Sequence, residues 1–157
     1  MISLVPPIIA LTLLLSFTLV AGQDREDSSV SGELARDMVR HHQHHFQVAR
    51  EAGFPLGQVT DPLPYPLEPL ASWRSEVVQQ GGVRLLLTWA DGYGTDSFAP
   101  SAYRAVVEQV PDRIGLYGVS GVIVLPGTGG PRIGDVEVPF PTGPIAAGAP
   151  AILRRGG

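Results

Sequence analysis

The densest group of side chains that could do chemistry in this sequence is a run of four histidines, His41, His42, His44 and His45. On a helix, His45 lies one turn from both His41 and His42, so two imidazoles could bind one metal ion. A catalytic zinc site needs a third ligand and a nearby carboxylate, and the nearest downstream acid, Glu51, is almost two turns past His45. We therefore expect a solvated helix face, with His41, His42 and His45 as the candidate metal ligands.

Other catalytic patterns are missing from the sequence. There is no cysteine, which excludes disulfides, thiolate metal sites and cysteine nucleophiles. The serines do not form a Gly-x-Ser-x-Gly elbow, and the glycine-rich residues 125–130 lack the Lys-Ser or Lys-Thr of a phosphate-binding loop. We expect no catalytic residues, no cofactor and no small-molecule substrate. A net charge of −4 without a basic cluster also argues against nucleic acid as a partner.

The histidines belong to a predicted helix from Ser28 to Ala52. An apolar stripe recurs along it at spacings of three and four, formed by Leu34, Met38, His42 or His45, Phe46 and Ala49. Gly53 followed by Pro55 is a typical helix end. The charged residues, Asp37 among them, are expected on its other faces. Such a helix must pack its apolar stripe on a sheet or on another helix.

An uncharged apolar segment, Ile2 to Ala21, precedes this helix. Its 20 residues would span about 30 Å as a helix, which is the thickness of a bilayer core. We expect a single-pass anchor with the following domain exported. The alternative is a signal peptide cleaved near Gly22, but no basic residue precedes the apolar run and it is longer than a usual signal-peptide core.

The rest of the chain divides into a connector and a sheet. Residues 54–80 are proline-rich and predict a stiff connector that packs on its own domain. The alternative is a strip that docks into an aromatic groove of a partner. Trp73 is expected to be anchored in the core. Residues 81–157 predict a small α/β sheet module. Its predicted elements are a strand at 82–89, a helix from Pro100 to Val110, a hairpin at 113–125, and short strands at 136–140 and 149–153.

These segments predict an α+β fold: a transmembrane helix at residues 1–22, an exported amphipathic helix at 23–53, the connector at 54–80, and a small, mainly antiparallel sheet with one short helix at 81–157. A hydrophobic helix that continues into an amphipathic helix and then a sheet is a pilin-like layout.

The order of these elements resembles the PilM family of conjugative thin-pilus (type IVB) systems. The resemblance rests on residues 35–39 (ARDMV), on the neighbourhood of Trp73, on residues 115–121 (GLYGVSG), and on the closing pattern from Val138 to Ile152. It implies a small protein of the bacterial inner membrane, with its soluble domain in the periplasm and no catalytic residues.

The function expected from this resemblance is that of a non-enzymatic component of the pilus assembly apparatus, whose partners are pilins or other assembly proteins. Two alternatives remain open. One is a minor pilin-like subunit that leaves the membrane within the fibre. The other is a periplasmic hydrolase or metalloprotein that depends on His41, His42 and His45.

Overall fold

The computed structural model describes residues 30–64, 69–95, 98, 100–114, 118–125, 130–139 and 141–156. The elements are α1 (residues 30–51), β1 (Gly57–Val59), β2 (Trp73–Gln80), β3 (Val83–Ala90), α2 (Pro100–Ile114), β4 (Gly118–Val124), β5 (Arg132–Ile133), β6 (Val136–Glu137) and β7 (Pro150–Arg155). Within these residues, no helix is both long enough and apolar enough to cross a bilayer. The predicted anchor at residues 1–22 lies outside the described residues.

The strands form one seven-stranded sheet in the order β1-β2-β3-β7-β4-β5-β6, and every neighbouring pair is antiparallel. The last strand, β7, lies between β3 and β4, where Ile152 is opposite Thr88 on one side and Ser120 on the other. The fold is therefore α+β with an antiparallel sheet, as the sequence predicts.

Both helices pack on one face of the sheet. Side chains alternate along a strand, so Ser75, opposite Thr88, and Val77, opposite Leu86, share one face of β2 and β3. Val77 and Leu86 form a buried cluster with Ala49 of α1. The main core, built by both helices and the sheet, includes Leu34, Met38, Tyr103, Val106 and Ile152, each with no exposed surface.

The opposite face of the sheet is covered by the segment that precedes β7. Buried Glu76 accepts hydrogen bonds from the backbone N–H of Thr142 at 2.8 Å and from its hydroxyl at 3.0 Å. The indole N–H of Trp89 donates to the carbonyl of Pro144 at 3.0 Å. Because β2 and β3 are covered on both faces, their sequences do not alternate simply between polar and apolar residues.

Two sequence expectations are wrong here. Residues 113–125 do not form a hairpin: α2 continues past Pro111 to Ile114, and β4 pairs with β7 and β5. Proline has a helix-compatible φ but lacks the N–H that bonds to residue i−4, so it weakens the helix, which ends three residues later at Ile114. The range 54–80, expected as a connector, contains β1 and all of β2. Trp73 is buried, as expected.

Candidate functional site: the histidine face of the first helix

The histidines of α1 do not form a solvated face. His42 has no exposed surface, and His41 and His45 are only 7% and 4% exposed. The expectation of a solvated face failed, although the predicted apolar stripe already included His42 or His45, which continue the helical spacing of Leu34 and Met38. The buried stripe therefore runs through the histidine cluster.

His42 connects α1 to the centre of the sheet. Its Nδ1 lies 2.9 Å from the hydroxyl of Thr88 on β3, and that hydroxyl lies 2.8 Å from the hydroxyl of Ser75 on β2. All three residues have no exposed surface. Burial, with the positive charge of Arg154 and the neighbouring histidines, lowers the pKa of His42 to about 3. This imidazole is neutral near pH 7, and a substrate could not reach it.

His45 and its neighbour His44 fasten the segment after β1 to the helix. His45 Nε2 donates to the backbone carbonyl of Asp61 at 2.7 Å, so its proton is on Nε2. His44 Nε2 lies 3.1 Å from the Asp61 carboxylate. Burial lowers the pKa of His45 despite the opposing effect of the hydrogen bond to Asp61. The two contacts hold residue 61 against the C-terminal half of α1.

His41 is the histidine of this cluster with the fewest polar contacts. Its ring packs on that of His45 with centroids 4.1 Å apart, and neither of its nitrogens has a hydrogen-bond partner among the described residues. Burial, followed by the charge of a protonated His45, lowers its pKa to about 4, although Asp37 acts in the opposite direction. His41 and His45 line an open cleft of about 400 Å³ together with Asp61, Leu63 and Trp73.

Asp37 is the buried charge that sequence analysis placed on an exposed face. It is 1% exposed, and its Oδ2 accepts hydrogen bonds from the indole N–H of Trp73 at 2.7 Å and from the backbone N–H of Leu70 at 2.6 Å. Its other oxygen pairs with Arg40. Three donors satisfy the carboxylate, which is what a buried charge requires. The spacing of three residues from Leu34 and four to His41 was the signal that places Asp37 on the buried stripe.

The chemistry open to this face is limited. His41, His42 and His45 are brought together along one side of α1, but no three His, Asp or Glu side chains in the described part of the chain converge as metal ligands. The hydroxyl groups near His42 are those of Ser75 and Thr88, which are inaccessible to a substrate. What the arrangement does is fix α1 to the sheet and to the segments that follow β1 and precede β2.

The site and the fold together define a class: an α+β domain in which one long helix is locked onto an antiparallel sheet by buried polar contacts. Comparisons with protein-family models, with curated proteins and with solved structures found no match.

Proposed function

We propose that this protein is a non-enzymatic component of a conjugative type IVB pilus assembly apparatus, anchored in the inner membrane with its domain in the periplasm. The observation that carries the proposal is the contact of Asp37 with Trp73. These two residues belong to two separate segments on which the resemblance to the PilM family rests, residues 35–39 and the Trp73 neighbourhood. The contact brings these two segments together in the fold, and this supports the proposal.

The layout of the domain also supports the proposal. Eight residues separate the apolar run, Ile2 to Ala21, from residue 30, where the described part of α1 begins. The first helix then lies along an antiparallel sheet, which is how pilin-like proteins combine a membrane segment with a soluble head. The reactive side chains of α1 are used in packing, and a non-enzymatic role fits that use.

The partners proposed are pilins or other assembly proteins in the same membrane. The same layout favours one other candidate, a minor pilin-like subunit that enters the fibre. The two functions differ in where the protein ends up. An assembly component stays in the membrane fraction when pili are sheared from the cells, whereas a minor subunit is recovered with the sheared fibres.

The test is an in-frame deletion of the gene in a strain that carries the conjugative element. We expect loss of thin pili and of plasmid transfer in liquid, with unchanged pilin level, and restoration by the wild-type gene. Unchanged piliation and transfer in the deletion strain would refute the proposal. Recovery of the protein in sheared pili would favour the minor subunit.

A second variant separates assembly from histidine chemistry. Replacing all four histidines would remove the contacts of His42 and His45 and would unfold the domain. His41→Leu removes the imidazole that has no hydrogen-bond partner in the described structure and preserves apolar packing. We expect this variant to complement the deletion fully. Loss of transfer at unchanged protein level would instead favour a histidine-dependent hydrolase or metalloprotein.

A further inference from the structure

Three arginines surround one open cleft beside the C-terminal end of α1. The cleft has a volume of about 600 Å³, and its lining includes Arg50, Arg84 and Arg155 but no Asp or Glu. The rest of its wall includes backbone at Gly53, Gly82 and Gly156. In a protein whose net charge is −4, a cleft lined only by positive charge is a local reversal of the overall charge.

The fold creates this cluster from distant parts of the sequence. Arg50 is in the last turn of α1, and Arg84 follows the two-residue turn between β2 and β3. Arg155 ends β7, opposite Leu85. The central position of β7 beside β3 is what brings the third arginine to the other two. No basic run in the sequence marks this cleft.

The cleft is held in shape by Arg84 and the end of the helix. Arg84 Nη1 donates to the carbonyls of Gly53 at 3.0 Å and Phe54 at 2.6 Å. Both residues have positive φ, 75° and 52°, and the ring of Phe54 is buried edge-on against Phe46 at 5.3 Å. A non-glycine residue in this conformation persists only where its surroundings fix it. The wall of the cleft is therefore preorganised.

Among the described residues, no ion pair neutralises the positive charge of the cleft. Arg84 uses Nη1 on neutral carbonyls, and Arg50 donates to the side-chain amide of Gln47. Neither of these arginines, nor Arg155, forms an ion pair among the described residues. A planar guanidinium presents two parallel N–H donors that match the oxygens of a carboxylate or a phosphate. Three guanidinium groups around one cleft match a ligand with more than one negative charge.

We propose that this cleft is a binding site for a small polyanionic oxyanion, of the phosphate or polycarboxylate type. Its volume falls within the range of about 300–1,000 Å³ that is usual for ligand sites. The lining of this site includes none of the four histidines of α1 and neither Asp37 nor Trp73, whose contact carries the proposed function. Binding at the cleft can therefore succeed or fail independently of a role in pilus assembly.

The experiment is isothermal titration of the full-length chain, in a nonionic detergent, with inorganic pyrophosphate and separately with citrate. The test variant is Arg50→Gln/Arg155→Gln, which keeps Arg84 and its two backbone contacts. The control is Arg132→Gln, which removes one exposed arginine of β5 outside the cleft lining. Thermal unfolding of each variant reports whether the fold is intact.

We expect one or both probes to bind, and the double variant to weaken binding by at least about tenfold while Arg132→Gln changes it less than about twofold. Binding of pyrophosphate alone identifies a phosphate site, and binding of citrate alone a carboxylate site. Binding of neither probe at millimolar concentration overturns the proposal. Equal effects of the double variant and Arg132→Gln also overturn it, because they indicate only a general charge effect.

Discussion

The carboxylate of Asp37 accepts a hydrogen bond from the indole of Trp73 at 2.7 Å, and both residues are buried. One residue is in the second turn of the described helix, and the other begins β2. The same carboxylate oxygen also receives the backbone N–H of Leu70. One buried charge thus fixes the helix, the entry to the sheet and the segment before it in a single arrangement.

Asp37→Ala should strongly destabilise the domain. The substitution leaves the indole N–H of the buried Trp73 without an acceptor and also removes the acceptor of the Leu70 N–H. Breaking a buried charged contact costs about 3–5 kcal/mol. We expect the free energy of unfolding to fall by an amount of that order in denaturant titrations. Glu33→Gln is the control, since Glu33 is exposed on the same helix. A fall of less than about 1 kcal/mol for Asp37→Ala would show that the contact is not structural.

The stability of the fold should decrease as the pH falls below neutrality. The pKa of His41 is lowered to about 4 and that of His42 to about 3 in the folded protein. In the unfolded chain both return to about 6.5, so the unfolded state binds more protons between these limits. The free energy of unfolding is therefore not reduced by these two histidines above about pH 6.5, and it falls progressively as the pH is lowered toward 3. Denaturant titrations at pH 7.5, 6 and 5 measure the change.

His41→Leu should reduce this pH dependence and should stabilise the protein at pH 7.5. His41 has no hydrogen-bond partner among the described residues, and burying an unsatisfied polar group costs about 1–3 kcal/mol, part of which the substitution recovers. His44→Gln is the control: the polar contact of this side chain is with the half-exposed carboxylate of Asp61, and we expect the pH dependence to persist. An unchanged pH profile in His41→Leu would contradict the burial of this imidazole.

The hydroxyl of Thr88 should couple α1 to the sheet. Thr88→Val leaves His42 Nδ1 and the Ser75 hydroxyl without their shared partner, and we expect a loss of about 1–3 kcal/mol in the free energy of unfolding. In the double variant Ser75→Ala/Thr88→Val the loss should be smaller than the sum of the single losses, because both changes break one contact. Strictly additive losses would mean that the two hydroxyl groups do not interact.

The sequence predicts the amphipathic helix, strand β3 and the burial of Trp73 because each depends on local spacing. It does not predict β2, because Arg74 and Glu76 are charged residues of the kind expected on a surface. In the structure, the segment before β7 covers that face of the sheet. The central position of β7 is also not predictable from local pattern, because its partners, β3 and β4, are distant in sequence. For the same reason the cluster of Arg50, Arg84 and Arg155 cannot be read from the sequence.

Asp37 and the histidines illustrate a further limit. Their types predict solvent exposure, whereas their spacing along α1 places them on the buried side. Side-chain type and helical position gave opposite expectations, and position decided the outcome. The carboxylate of Asp37 and one ring nitrogen each of His42 and His45 have hydrogen-bond partners in the buried arrangement. Spacing is the more reliable guide where a helix must pack along its whole length.

The central claim is that the apolar run from Ile2 to Ala21 stays in the membrane and tethers this domain outside the cytoplasm. The most direct measurement is the intact mass of the mature protein from carbonate-washed inner membranes, with the soluble periplasmic fraction measured in parallel. We predict a membrane-bound species of the full 16.7 kDa chain. A mature form that begins near Gln23 and is found in the soluble fraction would contradict the account.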